Sequence, residues 1–258
     1  MAPPHRPPPR TAIVLAKRQV TPNMLRVTLG GPGLADFPQG SAGGYIKLRL
    51  FPDGAGGPVT VRTYTIRHQH AGRIDVDFAL HTDDKGNHGP ATRWAMHAAI
   101  GDTIEIGGPG PAKPLPDGHD FYLVAGDMTA LPAISVNLEQ LPANAIGYGI
   151  IEVQCEEDRQ DIQVPPGFDL DFIVNPVPGT GAAAMLARVR AAAPRVGEMY
   201  VWVASEFETM RALRSFLRDE LGLGRDQLYI SSYWKAGLAE DDHKRIKSED
   251  AALAGSLS

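Results

Sequence analysis

The sequence has one cysteine, no long apolar run and fewer basic than acidic residues, and each of these features argues against a class of protein. Cys155 is the single cysteine among 258 residues, which excludes an internal disulfide and the usual thiolate sites for zinc or iron–sulfur clusters. No stretch approaches the roughly 20 apolar residues of a membrane span, and the start MAPPHRPPPR lacks an apolar signal core. A net charge of −5 argues against non-specific nucleic-acid binding. We therefore expect a cytoplasmic protein without membrane or nucleic-acid partners. A monomer is our expectation for its oligomeric state, which these features do not determine.

Turn-rich segments divide the first half of the chain into short β-strands. Stretches such as GGPGLADFPQGSAGG and PDGAGGP separate six candidate strands, and one helix is predicted at about 91–98. Six short strands with such turns favour a closed antiparallel barrel. The predicted strands span residues 11–20, 24–29, 45–51, 61–68, 73–80 and 103–107.

Strands and helices alternate after the segment PLPDGHD, which predicts a parallel sheet with helices on both faces. The buried strand FYLVAGD comes first, and further strands are predicted at 147–153, 169–174, 199–204 and 227–233. Helices are predicted at 129–141, 181–192 and 206–221. The chain therefore divides into a disordered arm (1–10), a barrel domain (11–117), an α/β domain (118–238) and a charged tail (239–258) that forms a short helix followed by disorder.

The segment VRTYTIR, in the fourth predicted strand, places Arg62 and Tyr64 on one strand face, roughly 7 Å apart. A tyrosine ring can stack on a flat heteroaromatic group. An arginine can bind a phosphate through two parallel hydrogen bonds, and Thr65 adds a hydroxyl on the same strand. The alternative is a strand with a half-buried tyrosine and an arginine that extends to solvent. The segment alone leaves both interpretations open.

Two further segments have the form of anion or nucleotide sites. After a strand predicted to end at His81, the residues GPAT (89–92) open a helix whose first-turn amides suit a pyrophosphate. The residues GDMT (126–129) join a buried strand to a helix at the edge where open α/β sheets bind ligands, with Thr129 as a good N-cap. Ordinary loop and cap chemistry is the alternative for each segment.

Two other patterns carry less weight. The string G-x-G-x-x-A at 179–184 is similar to a dinucleotide fingerprint, but Pro176 and Pro178 break the tight turn which that motif requires. A loop and helix start is therefore predicted, and a place in the lining of a nucleotide site stays open as the alternative. His81 and His88 have no third ligand at a suitable spacing, so we expect no metal held by the protein.

Taken in order, these segments resemble the siderophore-interacting protein family, the FAD-dependent ferric-siderophore reductase branch of the ferredoxin–NADP reductase-like superfamily. Each segment alone is weak evidence, whereas the ordered set is specific and covers nearly the whole chain. The matching segments are RTYT (62–65), His81 with GPAT (89–92), AGDMTALPA (125–133), YVWVASE (200–206) and YWKAG (233–237).

The resemblance implies a six-stranded antiparallel FAD-binding β-barrel followed by a parallel-sheet α/β NAD(P)H-type domain. It implies that Tyr64 packs on the isoalloxazine, that Arg62 lies near the pyrophosphate and that Thr65 lies near flavin N5. His81 would contact the flavin or the ribityl chain. The residues implied to bind FAD are Arg62, Thr63, Tyr64, Thr65, His81, Gly89, Ala91, Thr92, Asp127, Thr129 and Ala130.

The resemblance also implies the reaction. FAD would take a hydride from NADPH or NADH and pass single electrons to Fe(III) in a siderophore, so that Fe(II) is released and no residue acts as a catalytic acid or base. Basic residues would receive the anionic ferric siderophore, and Lys47 and Lys235 match two such positions. The family's usual arginine is missing from GPGP (108–111), and Lys113 is the candidate to replace it.

Other functions remain open from the residues. One is a flavin or ferredoxin–NADP reductase-like enzyme that serves a different acceptor. Ferredoxin is an alternative electron donor, because the family's usual residues at Met128 and Ser205 are changed. A protein that binds a flavin or a siderophore without turnover is the third.

Overall fold

A computed structural model describes residues 8–51, 57–82, 86–193, 197–238 and 240–255. The chain forms two compact units, Met1–Pro114 and Leu115–Ser258. In the first unit, six antiparallel strands close into a barrel in the order β1-β2-β5-β4-β3-β6, as predicted. Its elements are β1 (Arg10–Thr21), β2 (Met24–Gly30), β3 (Tyr45–Leu50), β4 (Thr60–His70), β5 (Arg73–Ala79), α1 (Pro90–His97) and β6 (Thr103–Gly110).

The barrel closes because each strand presents buried aliphatic residues at alternate positions. Ile46 and Leu48 of β3 are fully buried, as are Ile74 and Val76 of β5. Arg10 already belongs to β1, where it pairs with β6, so the predicted arm 1–10 is wrong at its last residue. Residues 1–7 of that arm lie outside the described residues.

The second unit contains a five-stranded parallel sheet in the order β11-β10-β7-β8-β9. Its strands are β7 (Phe121–Asp127), β8 (Ile146–Val153), β9 (Gly167–Val174), β10 (Met199–Glu206) and β11 (Leu228–Trp234). Its helices are α2 (Leu131–Glu139), α3 (Ala182–Ala192), α4 (Phe207–Ser215) and α5 (Glu240–Gly255).

Helices cover both faces of this sheet. A Cβ atom on Gly126 would lie 2.7 Å from Cδ1 of Ile134, so α2 packs closely on the face to which Gly126 points. Leu123 of the opposite face shares a core with Met185 of α3 and Leu213 of α4. The predicted α/β layering is therefore confirmed, since successive strand residues point to opposite faces.

The ends of the sequence-predicted helices differ from those observed. The helix predicted at 206–221 begins at Phe207, one residue later than predicted, because Glu206 is the N-cap of α4. Oε2 of Glu206 accepts hydrogen bonds from the amides of Glu208 and Thr209 at 2.5 and 3.3 Å. After Ser215 the backbone continues as one π-helical turn, Phe216–Glu220. In the tail, α5 is longer than the short helix predicted, and residues 239 and 256–258 lie outside the described ranges. No helix in the described part of the chain is long and apolar enough to cross a membrane.

Candidate functional site

Three aromatic rings connect the elements of the barrel that carry the sequence-predicted site residues. The rings of Tyr64 on β4 and Phe78 on β5 have centroids 4.4 Å apart, and the Phe78 ring lies 5.9 Å from that of Trp94 on α1. Phe78 is fully buried, whereas Tyr64 and Trp94 are half-buried against the barrel core. These tilted aromatic contacts help to hold β4, β5 and α1 together.

Arg62 and Tyr64 lie on the core-facing side of β4. Leu48 is opposite Arg62 in the β3–β4 register, and Ile46 is opposite Tyr64. Both aliphatic residues are fully buried, and directly opposite residues project to the same face. Arg62 remains half-buried, with Nη1 donating to the Val61 carbonyl at 2.9 Å. Tyr64 therefore packs on the core and also keeps part of its surface exposed.

Thr63 and Thr65 project from the other face of β4. Their partners on β3 are Lys47 and Tyr45. Thr63 is exposed and Thr65 is half-buried. The residues predicted on this one strand are thus divided between two faces, so a single flat ring cannot contact all of their side chains from one side.

The start of α1 has the features of an anion site. Gly89 is the N-cap in an extended conformation, no side chain caps the helix, and the first turn contains no acidic residue. A Cβ atom on Gly89 would meet nothing within 4 Å, while Ala91 and Thr92 are buried. The positive end of the helix dipole and the first-turn amides are therefore available to a phosphate.

His81 lies in a loop and not at a strand end. β5 ends at Ala79, and the Leu80 amide extends its pairing with β2 by one more hydrogen bond, to the Asn23 carbonyl at 2.8 Å. The His81 carbonyl is 2.9 Å from Nδ1 of His88, which is the residue before Gly89. This contact ties the end of β5 to the residues that lead into α1.

Asp127, Thr129 and Ala130 belong to the second unit, where they form the turn after β7. Each oxygen of the buried Asp127 carboxylate accepts two hydrogen bonds. Oδ1 accepts from the Thr129 amide and hydroxyl at 2.9 and 2.6 Å. Oδ2 accepts from the Glu206 amide and from Nε1 of Trp234, at 2.8 and 2.9 Å. Asp127 thereby joins the carboxyl ends of three strands.

The predicted N-cap role of Thr129 is wrong. Ala130 occupies the N-cap position of α2, and no side chain caps that helix. The Thr129 hydroxyl donates to the Asp127 carboxylate, because Asp127 lies two residues earlier and forms a local turn with it.

The comparisons with known proteins decide the family. Residues 119–237 match the model for "Siderophore-interacting protein", and residues 13–61 and 56–113 match that for "Siderophore-interacting FAD-binding domain". The chain is 33% identical over 253 residues to the ferric vibriobactin reductase ViuB of Vibrio cholerae, across 90% of this chain and 92% of that protein. This chain belongs to the siderophore-interacting protein family.

Solved structures agree with this assignment. The siderophore-interacting protein SipS of Aeromonas hydrophila is 32% identical, with a TM-score of 0.83 over 95% of this chain and 98% of that one. A siderophore utilization protein from T. fusca is 27% identical, with a TM-score of 0.79 over 91% and 96% of the two chains. The resemblance noted from the sequence is therefore confirmed.

The barrel of this siderophore-interacting protein is an FAD-binding domain, and its residues fit that cofactor in two respects. Tyr64 offers a half-exposed ring that packs against Phe78, which suits a flat heteroaromatic group. The start of α1, where Gly89 supplies no side-chain cap, presents first-turn amides, which suit a pyrophosphate. No group of three or more His, Cys, Asp or Glu in the described residues is arranged to hold a metal.

Two buried glutamates in the second unit were not identified from the sequence. Glu152, the last residue but one of β8, and Glu206, the last of β10, lie near Asp127 and are 7% and 3% exposed. Burial raises the pKa of Glu152 to about 7, with smaller contributions from the charges of Asp127 and Glu206, while a hydrogen bond from Nδ2 of Asn175 at 3.1 Å lowers it. An acidic residue at the end of each of two buried strands was the available signal.

Gly181, in the fingerprint-like string, is explained by Glu152. A Cβ atom at Gly181 would lie 1.6 Å from Oε2 of Glu152, so only glycine allows this approach. The same loop places Gly179 beside Trp234, whose ring would lie 3.2 Å from an added Cβ atom. These two glycines therefore serve close packing at the carboxyl end of the sheet.

The three sequence-predicted lysines have different surroundings. Lys47 lies on β3 in the barrel, half-buried, and its ammonium has no acceptor among the described residues. Lys113 comes one residue before the end of the first unit. Lys235 lies in the second unit, where its Nζ is 2.6 Å from Oε1 of Glu208 and 4.4 Å from the ring centroid of Phe207.

Proposed function

We propose that this protein is an FAD-dependent reductase that takes electrons from NADH or NADPH and reduces Fe(III) held by a siderophore, releasing Fe(II). The supporting observation is that a half-exposed Tyr64 and an uncapped α1 start are held by one aromatic cluster in the barrel. These features occur in a chain that aligns along 90% of its length with a ferric vibriobactin reductase. The predicted cytoplasmic location and monomeric state stay predictions.

In the proposed site, the chain binds and orients the cofactor and leaves the redox chemistry to it. When bound, FAD accepts a hydride and delivers single electrons. The Tyr64 ring supports the isoalloxazine, and Arg62 with the start of α1 holds the pyrophosphate. This division of roles requires no catalytic acid, base or protein-held metal.

The electron donor is proposed to bind the second unit. Open parallel sheets bind nucleotides at the carboxyl ends of their strands. In this chain those ends carry Asp127 and Glu206, which are hydrogen-bonded to neighbouring turns and so fix the backbone around Thr129 and Ala236. We propose that this framework holds the backbone that a pyridine nucleotide contacts.

Lys47, Lys113 and Lys235 are proposed to attract the ferric siderophore. An anionic chelate approaches a chain whose net charge is −5, so local positive charge is needed for association. Hard-oxygen chelators bind Fe(II) much more weakly than Fe(III), so reduction within the bound chelate releases the metal.

The proposal is tested with the purified protein carrying FAD, under anaerobic conditions. NADPH and NADH are added separately and the flavin absorbance is followed. A ferric tris-catecholate siderophore is then added together with a chromogenic chelator specific for Fe(II). We expect bleaching by at least one nucleotide, recovery of the absorbance when the siderophore is added, and coloured Fe(II) complex in a matching amount.

Two results would contradict the proposal in different ways. Bleaching without reoxidation by any ferric siderophore would indicate a reductase for another acceptor. No bleaching by either nucleotide or by reduced ferredoxin would indicate a protein that binds flavin or siderophore without turnover.

A further inference from the structure

The lysine proposed to meet the siderophore already has an anionic partner. Nζ of Lys235 lies 2.6 Å from Oε1 of Glu208, and Phe207 contributes a cation–π contact. The Lys235 side chain is 21% exposed, whereas that of Glu208 is 52% exposed. An external anion must therefore compete with this carboxylate for Lys235.

Glu208 has a second cation within reach. Its Oε2 lies 3.5 Å from Nη1 of Arg211, one helical turn further along α4. Glu208 also lies in the first turn of α4, where the helix dipole stabilises negative charge. The carboxylate would thus stay compensated if Lys235 turned to another anion.

Arg211 is held in place from its other side. Its Nε lies 3.5 Å from Oδ1 of Asp250 on α5, and Asp250 also pairs with Arg214 through two hydrogen bonds of 2.5 and 2.8 Å. Cations and carboxylates therefore alternate along Lys235, Glu208, Arg211, Asp250 and Arg214. Such an arrangement keeps Arg211 near Glu208 whatever Lys235 binds.

We propose that Glu208 is a specificity-determining counter-ion, whose carboxylate an anionic ferric chelate displaces from Lys235 towards Arg211. This inference rests on the proposed function, because it takes Lys235 as a contact of the chelate. Only a negatively charged ligand can displace the carboxylate from Lys235. Glu208 therefore lowers the affinity for weakly charged anions, and it does not change the affinity for a neutral chelate. Exposed ion pairs are weak, and Glu208 should therefore adjust affinity and not abolish it.

The test measures binding without reduction. Gallium(III) replaces iron in the chelates, since it is not reduced, and dissociation constants are measured by calorimetry with the FAD-loaded protein. A tris-catecholate chelate is anionic and a tris-hydroxamate chelate is neutral. Glu208→Gln should tighten binding of the anionic chelate roughly two- to five-fold, as expected for an exposed pair, and leave binding of the neutral one unchanged.

Two further variants make the test specific. Glu220→Gln removes the same charge from an exposed pair with Arg190 elsewhere in the unit, and it should leave both constants unchanged. Arg211→Gln should weaken binding of the anionic chelate in the wild-type background, because the displaced carboxylate loses its second partner. In the Glu208→Gln background the same substitution should have a clearly smaller effect.

The inference is overturned if Glu208→Gln and wild type bind the anionic chelate equally, if Glu220→Gln gives the same gain, or if the neutral chelate gains equally. These results are independent of the proposed reduction. A protein that binds the gallium chelates as expected yet never reduces the ferric ones would refute the reductase function and leave the counter-ion role supported.

Discussion

The indole Nε1 of Trp234 donates a hydrogen bond to Oδ2 of Asp127 at 2.9 Å, although 107 positions separate the two residues. The same carboxylate accepts from the Glu206 amide and from two donors of Thr129. Asp127 thus connects the carboxyl ends of β7, β10 and β11. Its hydrogen bonds suggest a structural role in addition to the FAD contact that the family resemblance implies.

We predict that Asp127→Ala lowers the free energy of unfolding by about 3 kcal/mol, because it leaves several buried donors without an acceptor. Trp234→Phe removes only one of the bonds and should cost about 1 kcal/mol. Urea unfolding followed by circular dichroism measures both values. If Asp127→Ala instead keeps the stability of wild type but no longer binds FAD, Asp127 acts in cofactor binding alone.

Gly89 allows stability and cofactor binding to be separated. Gly89→Asp should stabilise the FAD-free protein by about 0.5 kcal/mol, because it caps α1 and favours its dipole, and an added Cβ atom meets nothing within 4 Å. The same negative charge should repel the FAD pyrophosphate and weaken FAD binding roughly ten-fold, which corresponds to about 1.4 kcal/mol. Thermal unfolding without FAD and flavin titration measure the two effects.

Gly89→Asn is the matched control, since it caps the helix without adding charge. It should stabilise the FAD-free protein similarly and bind FAD nearly as wild type does. Equal FAD affinity for Gly89→Asp and Gly89→Asn would show that no phosphate lies at the start of α1.

Alternation of apolar residues and turn-forming segments was enough to predict the strands of the barrel, whereas short buried runs such as FYLVAGD predicted those of the parallel sheet. Ile46 and Leu48 illustrate why, since burial at every second position is a local property that the chain order records. The hydrogen bond between Asp127 and Trp234 could not be predicted from local patterns of this kind. It depends on which strand ends become neighbours in a sheet whose order differs from the chain order.

The local structure of the candidate-site segments was predictable to a similar extent. Segments such as GPAT at the start of α1 carry their own local signal. The predicted N-cap role of Thr129 was wrong because the Asp127 carboxylate, two residues away, accepts the hydrogen bond of its hydroxyl. The pairing of Lys235 with Glu208 was not predicted, since it joins residues 27 positions apart. Side-chain choices between nearby partners are decided by small energy differences that a sequence pattern does not record.

Tyr64 is expected to stack on the flavin. Tyr64→Phe keeps the ring and should bind FAD within about two-fold of wild type, whereas Tyr64→Ala should weaken binding roughly ten-fold through lost stacking and packing. Because the ring also packs on Phe78, Tyr64→Ala will lower stability too. Affinity is therefore measured by flavin titration at a temperature where all variants are folded. Unchanged FAD affinity and absorption spectrum in Tyr64→Ala would refute the stacking role.

Lys47 is expected to act on the siderophore and not on FAD. Lys47→Ala should raise KM for an anionic ferric chelate about three-fold at low salt, and less at high salt because ions screen the attraction. Arg18→Ala, at an exposed position on β1, removes the same charge and is the control. An equal rise in KM for both variants would attribute the effect to net charge alone.

The pKa of Glu152 predicts a pH dependence of stability with a definite sign. Its folded-state pKa is about 7, against an ordinary value of 4.5, so the folded protein binds this proton more tightly than the unfolded chain. The resulting stabilisation is fully present below about pH 4.5 and is lost as the pH rises through about 7.

Glu152→Gln should therefore remove a pH-dependent part of the stability. Glutamine resembles the protonated carboxyl and can still accept the hydrogen bond from Asn175. Between about pH 5 and 8, wild type should lose roughly 2 kcal/mol of unfolding free energy relative to this variant. Urea unfolding of both proteins at several pH values gives that difference. Because both proteins contain the same histidines, subtracting their unfolding free energies cancels the contribution of histidine titration. Glu198→Gln, at an exposed position in the same unit, should parallel wild type. A constant difference between wild type and Glu152→Gln across this range would show that Glu152 is ionised throughout and that burial does not control it.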